Sequence, residues 1–272
     1  MCVSGMTVTI DGELLVSQWN DSKIMCKSHD TCRTLIELPF GDIVGIHASR
    51  HNDIFIGMVV ELGIQPLNAI SDSTECFILV FGFDGTYKRS CKFNEENIDL
   101  EIFPTNITTN VNGDICVIDF RTGYTRRIVI LTENGQVKSI YSGHKELNSR
   151  SPFYSTDVAT DLNGYIFVAD IHSHAIHSLS IQGDFLAYKL TSRFDILNPC
   201  SLHFDTKGRL IIAGQCKHFE YENIIYSEKD EDKNLKMTSA ICIVNIDRSL
   251  ACEDMVKTCP WTFCPITYVK HC

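Results

Sequence analysis

Short apolar stretches separated by glycine-containing turns recur along the chain. Each unit has an apolar strand, a turn such as Asn-Gly or Asp-Gly, a second apolar strand and, in the clearest copies, a closing Asp. The copies are STDVATDLNGYIFVAD (155–170), TNITTNVNGDICVID (105–119), SLHFDTKGRLIIAG (201–214), GIHASRHNDIFIGM (45–58) and MTVTIDGELLVSQW (6–19). Repetition at about 40–50 residues with several short strands per unit is typical of a β-propeller. The pattern predicts an all-β fold with five recognisable four-stranded blades and a degenerate or missing sixth.

The unit between residues 152 and 190 shows why each repeat predicts four strands. Polar or glycine-containing segments divide it into four apolar runs, Thr156–Thr160, Tyr165–Ala169, Ala175–Ile181 and Phe185–Leu190. The pair Asn163-Gly164 favours positive φ at both positions, which predicts a tight hairpin between the first two strands. A single small sheet cannot bury both of its faces, so neighbouring blades are expected to stack and form the core.

The domain organisation follows from where the units begin, near residues 6, 43, 104, 152 and 199. The propeller is predicted to occupy 1–249. A charged loop at 217–240, which includes EKDEDK, interrupts the fifth unit and is expected to be solvated. The last residues, 250–272, follow no blade pattern and predict an irregular, Cys-rich tail.

Composition and charge narrow the classes of partner and the cellular compartment. The net charge of −10 disfavours non-specific binding to nucleic acid or to an anionic membrane, which needs clustered Lys and Arg. No basic stretch followed by an apolar segment stands at the N-terminus, and no apolar run is long enough to span a membrane. The 13 cysteines are an odd number, and several, such as Cys116, fall inside strand patterns. We therefore expect a reduced, cytoplasmic protein with no membrane partner.

Four strings resemble the NHL-repeat propeller: PTNITTNVNGDICVIDF, VILTENGQVKSIYSG, STDVATDLNGYIFVADIHSHAIHSLSIQGDFLAYKL and LNPCSLHFDTKGRLIIAGQ. They are most similar to the C-terminal domain of tripartite-motif proteins, especially the expanded members found in molluscs. The resemblance implies a six-bladed NHL-type fold, of which this chain would lack the first blade together with the RING, B-boxes and coiled coil. It also implies a module that recognises a protein partner or ubiquitination substrate, with no catalysis in this chain. Some relatives bind RNA hairpins, which gives the first alternative function.

The candidate partner-binding residues lie in two loops at equivalent places of neighbouring blades. The string RTGYTRR (121–127) surrounds an aromatic side chain with guanidinium groups that can bind phosphate and stack on a base or peptide. The string HSHAIH (172–177) begins in the corresponding loop of the next blade. The predicted partner-binding residues are Arg121, Tyr124, Arg126, Arg127, His172 and His174. The simpler interpretation is a pair of solvated loops that carry charge away from the strands.

Metal and catalytic sites were weighed against structural interpretations. HSHAIH lacks zincin spacing, and the tail cysteines form no C-x-x-C pair. Asp119 and Asp170 occupy equivalent blade positions, which suggests a carboxylate ring like that of metal-dependent lactonase-type propellers. The corresponding position in the fifth unit is Gly214, which supplies no oxygen ligand, so the Asp residues are better explained as strand-ending groups that accept backbone N–H groups. We predict no catalytic residue, no metal and no cofactor, and keep a lactonase-like hydrolase as the second alternative.

Overall fold

The computed structural model describes residues 3–18, 21–28, 31–61, 74–92, 102–120, 126–194, 196–217, 237–244 and 267–269. These residues form five antiparallel four-stranded sheets, each built from strands that are consecutive in the chain. The first sheet contains β1 (Val3–Val8), β2 (Leu14–Gln18), β3 (Lys23–Ser28) and β4 (Thr31–Glu37). The second contains β5 (Asp42–Ala48), β6 (Asp53–Glu61), β7 (Thr74–Gly82) and β8 (Tyr87–Lys92).

The next two sheets are the most regular ones. The third contains β9 (Pro104–Thr109), β10 (Ile115–Phe120), β11 (Arg126–Leu131) and β12 (Val137–Tyr141). The fourth contains β13 (Ser155–Thr160), β14 (Ile166–Asp170), β15 (Ala175–Leu179) and β16 (Phe185–Leu190). Two short 3-10 helices lie outside the sheets, at Leu147–Ser149 and Thr191–Phe194. The four strands predicted between 152 and 190 are confirmed, with ends that differ by one or two residues.

The fifth sheet draws on distant parts of the chain. It contains β17 (Ile196–Phe204), β18 (Leu210–Lys217), β19 (Met237–Val244) and β20 (Thr267–Val269). The segment predicted as a charged loop, 217–240, overlaps β18 at Lys217 and β19 at 237–240, and the rest of it lies outside the described residues. The range 250–272, predicted to be an irregular tail, supplies the outer strand of this sheet, which pairs with β19.

The all-β propeller fold is confirmed. In the described part of the chain, no helix is both long and apolar enough to cross a membrane.

The hairpins that join the first two strands of the blades share one turn geometry. In three blades the residue after the inner strand is Asn110, Asp161 or Asp205, and its Oδ1 accepts the backbone N–H groups two and four residues later. In the fourth blade the N–H of Gly164 donates to the carbonyl of Asp161, and Gly164 alone of the pair Asn163-Gly164 has positive φ. The turn is therefore a type I turn closed by a glycine, not the predicted pair of positive-φ residues. The Asp or Asn that begins the turn provides two hydrogen bonds, which explains its recurrence.

Four apolar cores lie between successive blades. The inner strands of the second to fifth blades direct a central aliphatic side chain onto the preceding blade: Ile46 onto the first blade, Ile107 onto the second, Val158 onto the third and Leu202 onto the fourth. These four side chains are at most 7% exposed. Cys116 is fully buried in the core between the third and fourth blades, as predicted for a small apolar side chain.

The first and fifth blades each have a face without an equivalent core in the described part of the chain. Met6 occupies the same register as Ile46, Ile107, Val158 and Leu202, but it is 63% exposed. On the fifth blade, Ile211 is half-buried, whereas its counterpart Phe167 in the fourth blade packs into the next core. We call the surface of the first blade around Val3 and Met6 the open face.

Candidate functional site

A cavity of about 620 Å³ lies along the axis around which the blades are arranged. Its walls come from all five inner strands, β1, β5, β9, β13 and β17, mainly from their C-terminal halves. Pockets of about 300–1,000 Å³ are typical of sites for small organic ligands. The cavity is therefore the candidate functional site, and its chemistry depends on the polar side chains that the inner strands place in it.

The register of the inner strands determines which residues reach the cavity. When the strands are aligned at their turns, one column contains Gly5, Gly45, Asn106, Asp157 and Ser201, and another contains Thr7, His47, Thr108, Ala159 and His203. All ten residues line the cavity. Because side chains alternate along a strand, both columns lie on the opposite side from the aliphatic column that includes Ile107.

Asp157 is the acidic residue of the cavity wall, and it links three blades. Its Oδ1 accepts hydrogen bonds from the amide of Asn106 (3.2 Å) and from the backbone N–H of Val158 (2.8 Å). Its Oδ2 accepts from the hydroxyl of Ser201 (3.0 Å) and the backbone N–H of Leu202 (2.7 Å). Burial raises the pKa of Asp157, although these four hydrogen bonds oppose the rise. Both oxygens are occupied, so Asp157 ties the inner strands together.

His47 is the imidazole of the cavity wall with a displaced pKa. Its Nε2 lies 3.0 Å from the hydroxyl oxygen of Thr109 in the next blade. Burial, with a further contribution from the positive charge of Arg50, lowers the pKa of His47 to about 4. The ring is therefore neutral at physiological pH, and a neutral imidazole can accept a proton from water or a ligand.

Of the predicted loop at 121–127, the structure describes Arg126 and Arg127, and neither of them lines the cavity. Arg121 and Tyr124 lie outside the described residues. Arg126 donates from Nη1 to the carbonyl of Ser155 (2.8 Å) in the next blade, and its guanidinium lies over the ring of Tyr154, 4.3 Å from its centre. Arg127 donates from Nε to Asp119 (2.7 Å), whose side chain is fully buried. Arg126 thus joins two blades, and Arg127 joins two strands of one blade. Their contact with a partner stays a prediction.

His172 and His174 belong to the connection between β14 and β15, at the opposite end of the blades from the hairpin turns. The Nδ1 of His172 lies 3.2 Å from the carbonyl oxygen of Pro152, and its ring packs on Tyr154. The Nδ1 of His174 accepts the backbone N–H of Asn198 (3.0 Å) in the fifth blade. His172 lies near the same blade junction as Arg126, because both contact Tyr154, whereas His174 bonds across the junction of the fourth and fifth blades. Neither histidine lines the cavity.

Asp119 and Asp170 have the strand-ending role that the sequence predicts. Asp119 accepts the backbone N–H of Phe103 (2.8 Å), and Asp170 accepts that of Tyr154 (3.2 Å). Both carboxylates are fully buried and outside the cavity wall. They therefore do not form a ring of ligands on the axis.

Asp170 also belongs to a buried network that joins the third and fourth blades. Nε2 of His177 lies 3.3 Å from Asp170 Oδ2, and Nδ1 of His177 lies 2.7 Å from the hydroxyl oxygen of Tyr141. The amide of Asn148 donates to the same carboxylate (2.8 Å). Burial alone would raise the pKa of Asp170, but its contact with His177 and its interactions with Ser173, Asn148 and a backbone N–H hold it below its usual value.

The cavity does not offer a divalent-metal site built from the described residues. No group of three or more His, Cys, Asp or Glu side chains within the described ranges is arranged to hold a metal ion. Asp157 is the one carboxylate among the residues that line the cavity, and donors occupy both of its oxygens. Calcium usually takes six to eight oxygen ligands, so the donor set in the described wall does not fit it.

Sequence reasoning missed His47, Arg50 and Asp157 as cavity residues. The recurring residues that stand out in the repeat are at its turns and strand ends, such as Asp119 and Asp170. His47 and Asp157 lie in the inner strands instead. Aligning the inner strands as SGMTVT, VGIHAS, TNITTN, TDVATD and CSLHFD would have placed His47 and Asp157 in columns that face the axis. Arg50 carries no comparable signal, because it stands in a turn where charged residues are usual.

No model of a known protein family matches the chain, and no curated protein matches its sequence. Several solved structures resemble its fold. A protein of unknown function from Bacteroides caccae is 17% identical, with a TM-score of 0.56 over 80% of this chain and 72% of that one. A gluconolactonase from Xanthomonas campestris is 12% identical, with a TM-score of 0.55 over 78% and 69%. The calcium-binding protein regucalcin from Agrobacterium tumefaciens is 14% identical, with a TM-score of 0.50 over 78% and 67%.

The expected membership of the NHL-repeat tripartite-motif family is wrong. No family model supports it, and the solved structures described above include a gluconolactonase and regucalcin instead. The expectation of a non-catalytic chain that recognises a protein or ubiquitination substrate is overturned by the same findings, and the RNA-binding alternative rested on the same resemblance. The physical reason is that the hairpin turns and strand-ending Asp residues belong to the blade itself, so they indicate a propeller without indicating a family.

Proposed function

We propose that the protein is a lactonase-like hydrolase that acts on a small lactone in the axial cavity. The observation that carries the proposal is the imidazole of His47, which lies on the cavity wall with its Nε2 3.0 Å from the hydroxyl oxygen of Thr109. Fold similarity to gluconolactonases supports the choice of substrate class. The cavity volume of about 620 Å³ fits a ligand of sugar size with its attacking water.

In this proposal His47 acts as the general base. A water molecule attacks the lactone carbonyl carbon while His47 accepts one of its protons. The bond between the carbonyl carbon and the ring oxygen then breaks, and the imidazolium returns the proton to the departing alkoxide. One lactone and one water give one hydroxy acid, so His47 ends in its starting state. Thr109, 3.0 Å from Nε2, orients the ring.

No step is assigned to a metal ion, because the described wall does not supply a suitable donor set. The remaining contribution of the chain is positional. Asp157 fixes the inner strands on either side of the fourth blade, and the hydroxyl of Thr160 does the same by donating to the carbonyl of Thr109 (2.7 Å). These bonds fix the positions of the inner strands around His47. Fixed positions are required because proton transfer takes place at hydrogen-bond distance.

The test uses a panel of five- and six-membered aldonolactones. Hydrolysis of each lactone is measured as the acid that it releases at constant pH. We expect turnover by the wild-type protein and a loss of about 10²–10⁴-fold in kcat for His47→Gln, the usual contribution of a general base. The matched control is His51→Gln, which changes an exposed histidine in the adjacent turn. No turnover by the wild type above the uncatalysed rate, or full activity of His47→Gln, would overturn the proposal.

A further inference from the structure

The axial cavity has a free positive charge in a protein whose net charge is −10. Arg50 lines the cavity and is exposed at the turn after β5, three residues beyond His47. Its guanidinium takes part in no ion pair among the described residues. Arg33, Arg89, Arg127 and Arg209 each lie within ion-pair distance of a carboxylate. Arg50 lines the cavity without one, and a guanidinium in that position is a candidate site for an anionic ligand.

The one carboxylate of the wall, Asp157, forms no ion pair with Arg50. Asp157 accepts four hydrogen bonds from Asn106, Val158, Ser201 and Leu202, and these donors occupy both of its oxygens. His47 lies close enough to Arg50 for that positive charge to contribute to the lowering of its pKa. Arg50 therefore brings a positive charge to the part of the cavity beside His47.

We propose that Arg50 binds the carboxylate of a small organic acid in this cavity. This inference rests on the proposed function for the identity of the acid: hydrolysis of a lactone creates a carboxylate at the position of the carbonyl that His47 serves. The planar guanidinium offers two parallel N–H donors that match the two oxygens of a carboxylate. The product hydroxy acid should thus bind more tightly than a neutral polyol of the same size and should inhibit the reaction.

The experiment measures binding without turnover, by titration calorimetry of gluconate into the full-length protein at about pH 7.5, with sorbitol as the neutral probe. We expect gluconate to bind, with an affinity at least about tenfold weaker for Arg50→Gln, because a charge-assisted hydrogen bond is lost. The affinity of the wild type for gluconate should also fall as the salt concentration is raised from about 20 mM to about 500 mM. Sorbitol should bind the wild type no more tightly than gluconate binds Arg50→Gln. The control Arg193→Gln removes an exposed arginine outside the cavity wall.

The outcomes separate this inference from the proposed hydrolysis. Equal gluconate affinity in the wild type and Arg50→Gln, or no binding by the wild type at millimolar gluconate, would overturn the carboxylate site even if lactones are hydrolysed. Binding that depends on Arg50 would support the site even if no lactone of the panel is turned over. Thermal unfolding of each variant without ligand shows whether it is folded, and a conservative Arg50→Lys variant should retain part of the affinity and its salt dependence.

Discussion

Met6 and Ile107 occupy the same position in two copies of one repeat, yet one is 63% exposed and the other 6%. Ile107 packs into the core between the second and third blades, while Met6 lies on the open face of the first blade, which has no neighbouring blade among the described residues. The repeat therefore specifies which side chain points away from its own sheet. Burial of that side chain depends on the adjacent blade.

The sharpest test of this comparison is truncation of both side chains. Ile107→Ala should lower the free energy of unfolding by about 2–5 kcal/mol, because it removes buried methylene groups and leaves a cavity. Met6→Ala should change it by no more than about 0.5 kcal/mol, as for other exposed positions. Urea unfolding followed by circular dichroism gives both values. A loss for Met6→Ala as large as that for Ile107→Ala would mean that the open face is covered in solution.

A polar network adds to the apolar contacts where the third blade meets the fourth, and its removal should cost less than a cavity. Tyr141→Phe removes the hydroxyl next to Nδ1 of buried His177 and leaves that nitrogen without its partner. We expect a loss of about 1–3 kcal/mol in the free energy of unfolding. Tyr165→Phe, at a tyrosine that is 44% exposed, is the matched control and should have no measurable effect. Equal losses in the two variants would remove the special role of this network.

The same network predicts a pH dependence. The folded-state pKa of Asp170 is below its usual value, so this carboxylate stabilises the fold at pH values above its unfolded pKa. That contribution is lost as the pH falls through the folded pKa. The difference in unfolding free energy between the wild type and Asp170→Asn should therefore be largest near about pH 7 and shrink towards about pH 2. Asp11→Asn, at an exposed turn residue, is the control. A difference for Asp170→Asn that does not change with pH would contradict the assignment of this stability to the Asp170 carboxylate.

The sequence predicted the blades well because each blade is a local structure. In the blade at 152–190, short apolar runs and an Asp at the start of the hairpin turn determine four strands with little help from the rest of the chain. The fifth sheet was predicted less well, since Thr267–Val269 reaches it from a distant segment without any blade pattern. Strand pairing over such a separation depends on tertiary contacts that no local signal contains.

The cavity was not predicted, for a related reason. His47 and Arg50 belong to the second blade and Asp157 to the fourth, and the arrangement of the inner strands around one axis brings them to the same cavity. The features that were chosen from the sequence, Arg126 and Arg127 among them, are conspicuous in the chain but bind neighbouring backbone and carboxylate groups in the fold. Charged residues next to a strand end are often used to join blades, so local composition alone does not distinguish them from a binding site.

The pH dependence of kcat/KM for a hydrolysed lactone tests whether His47 acts as a base in the axial cavity. This profile reports the ionisation of the free enzyme. We predict that kcat/KM falls as the pH drops through the pKa of His47, about 4, and that Arg50→Gln moves this inflection upward because the neighbouring positive charge is removed. The other ionisable groups of the wall are Asp157 and His203. An unchanged inflection in His47→Gln, or one in the wild type near the ordinary histidine pKa of about 6.5, would contradict the account.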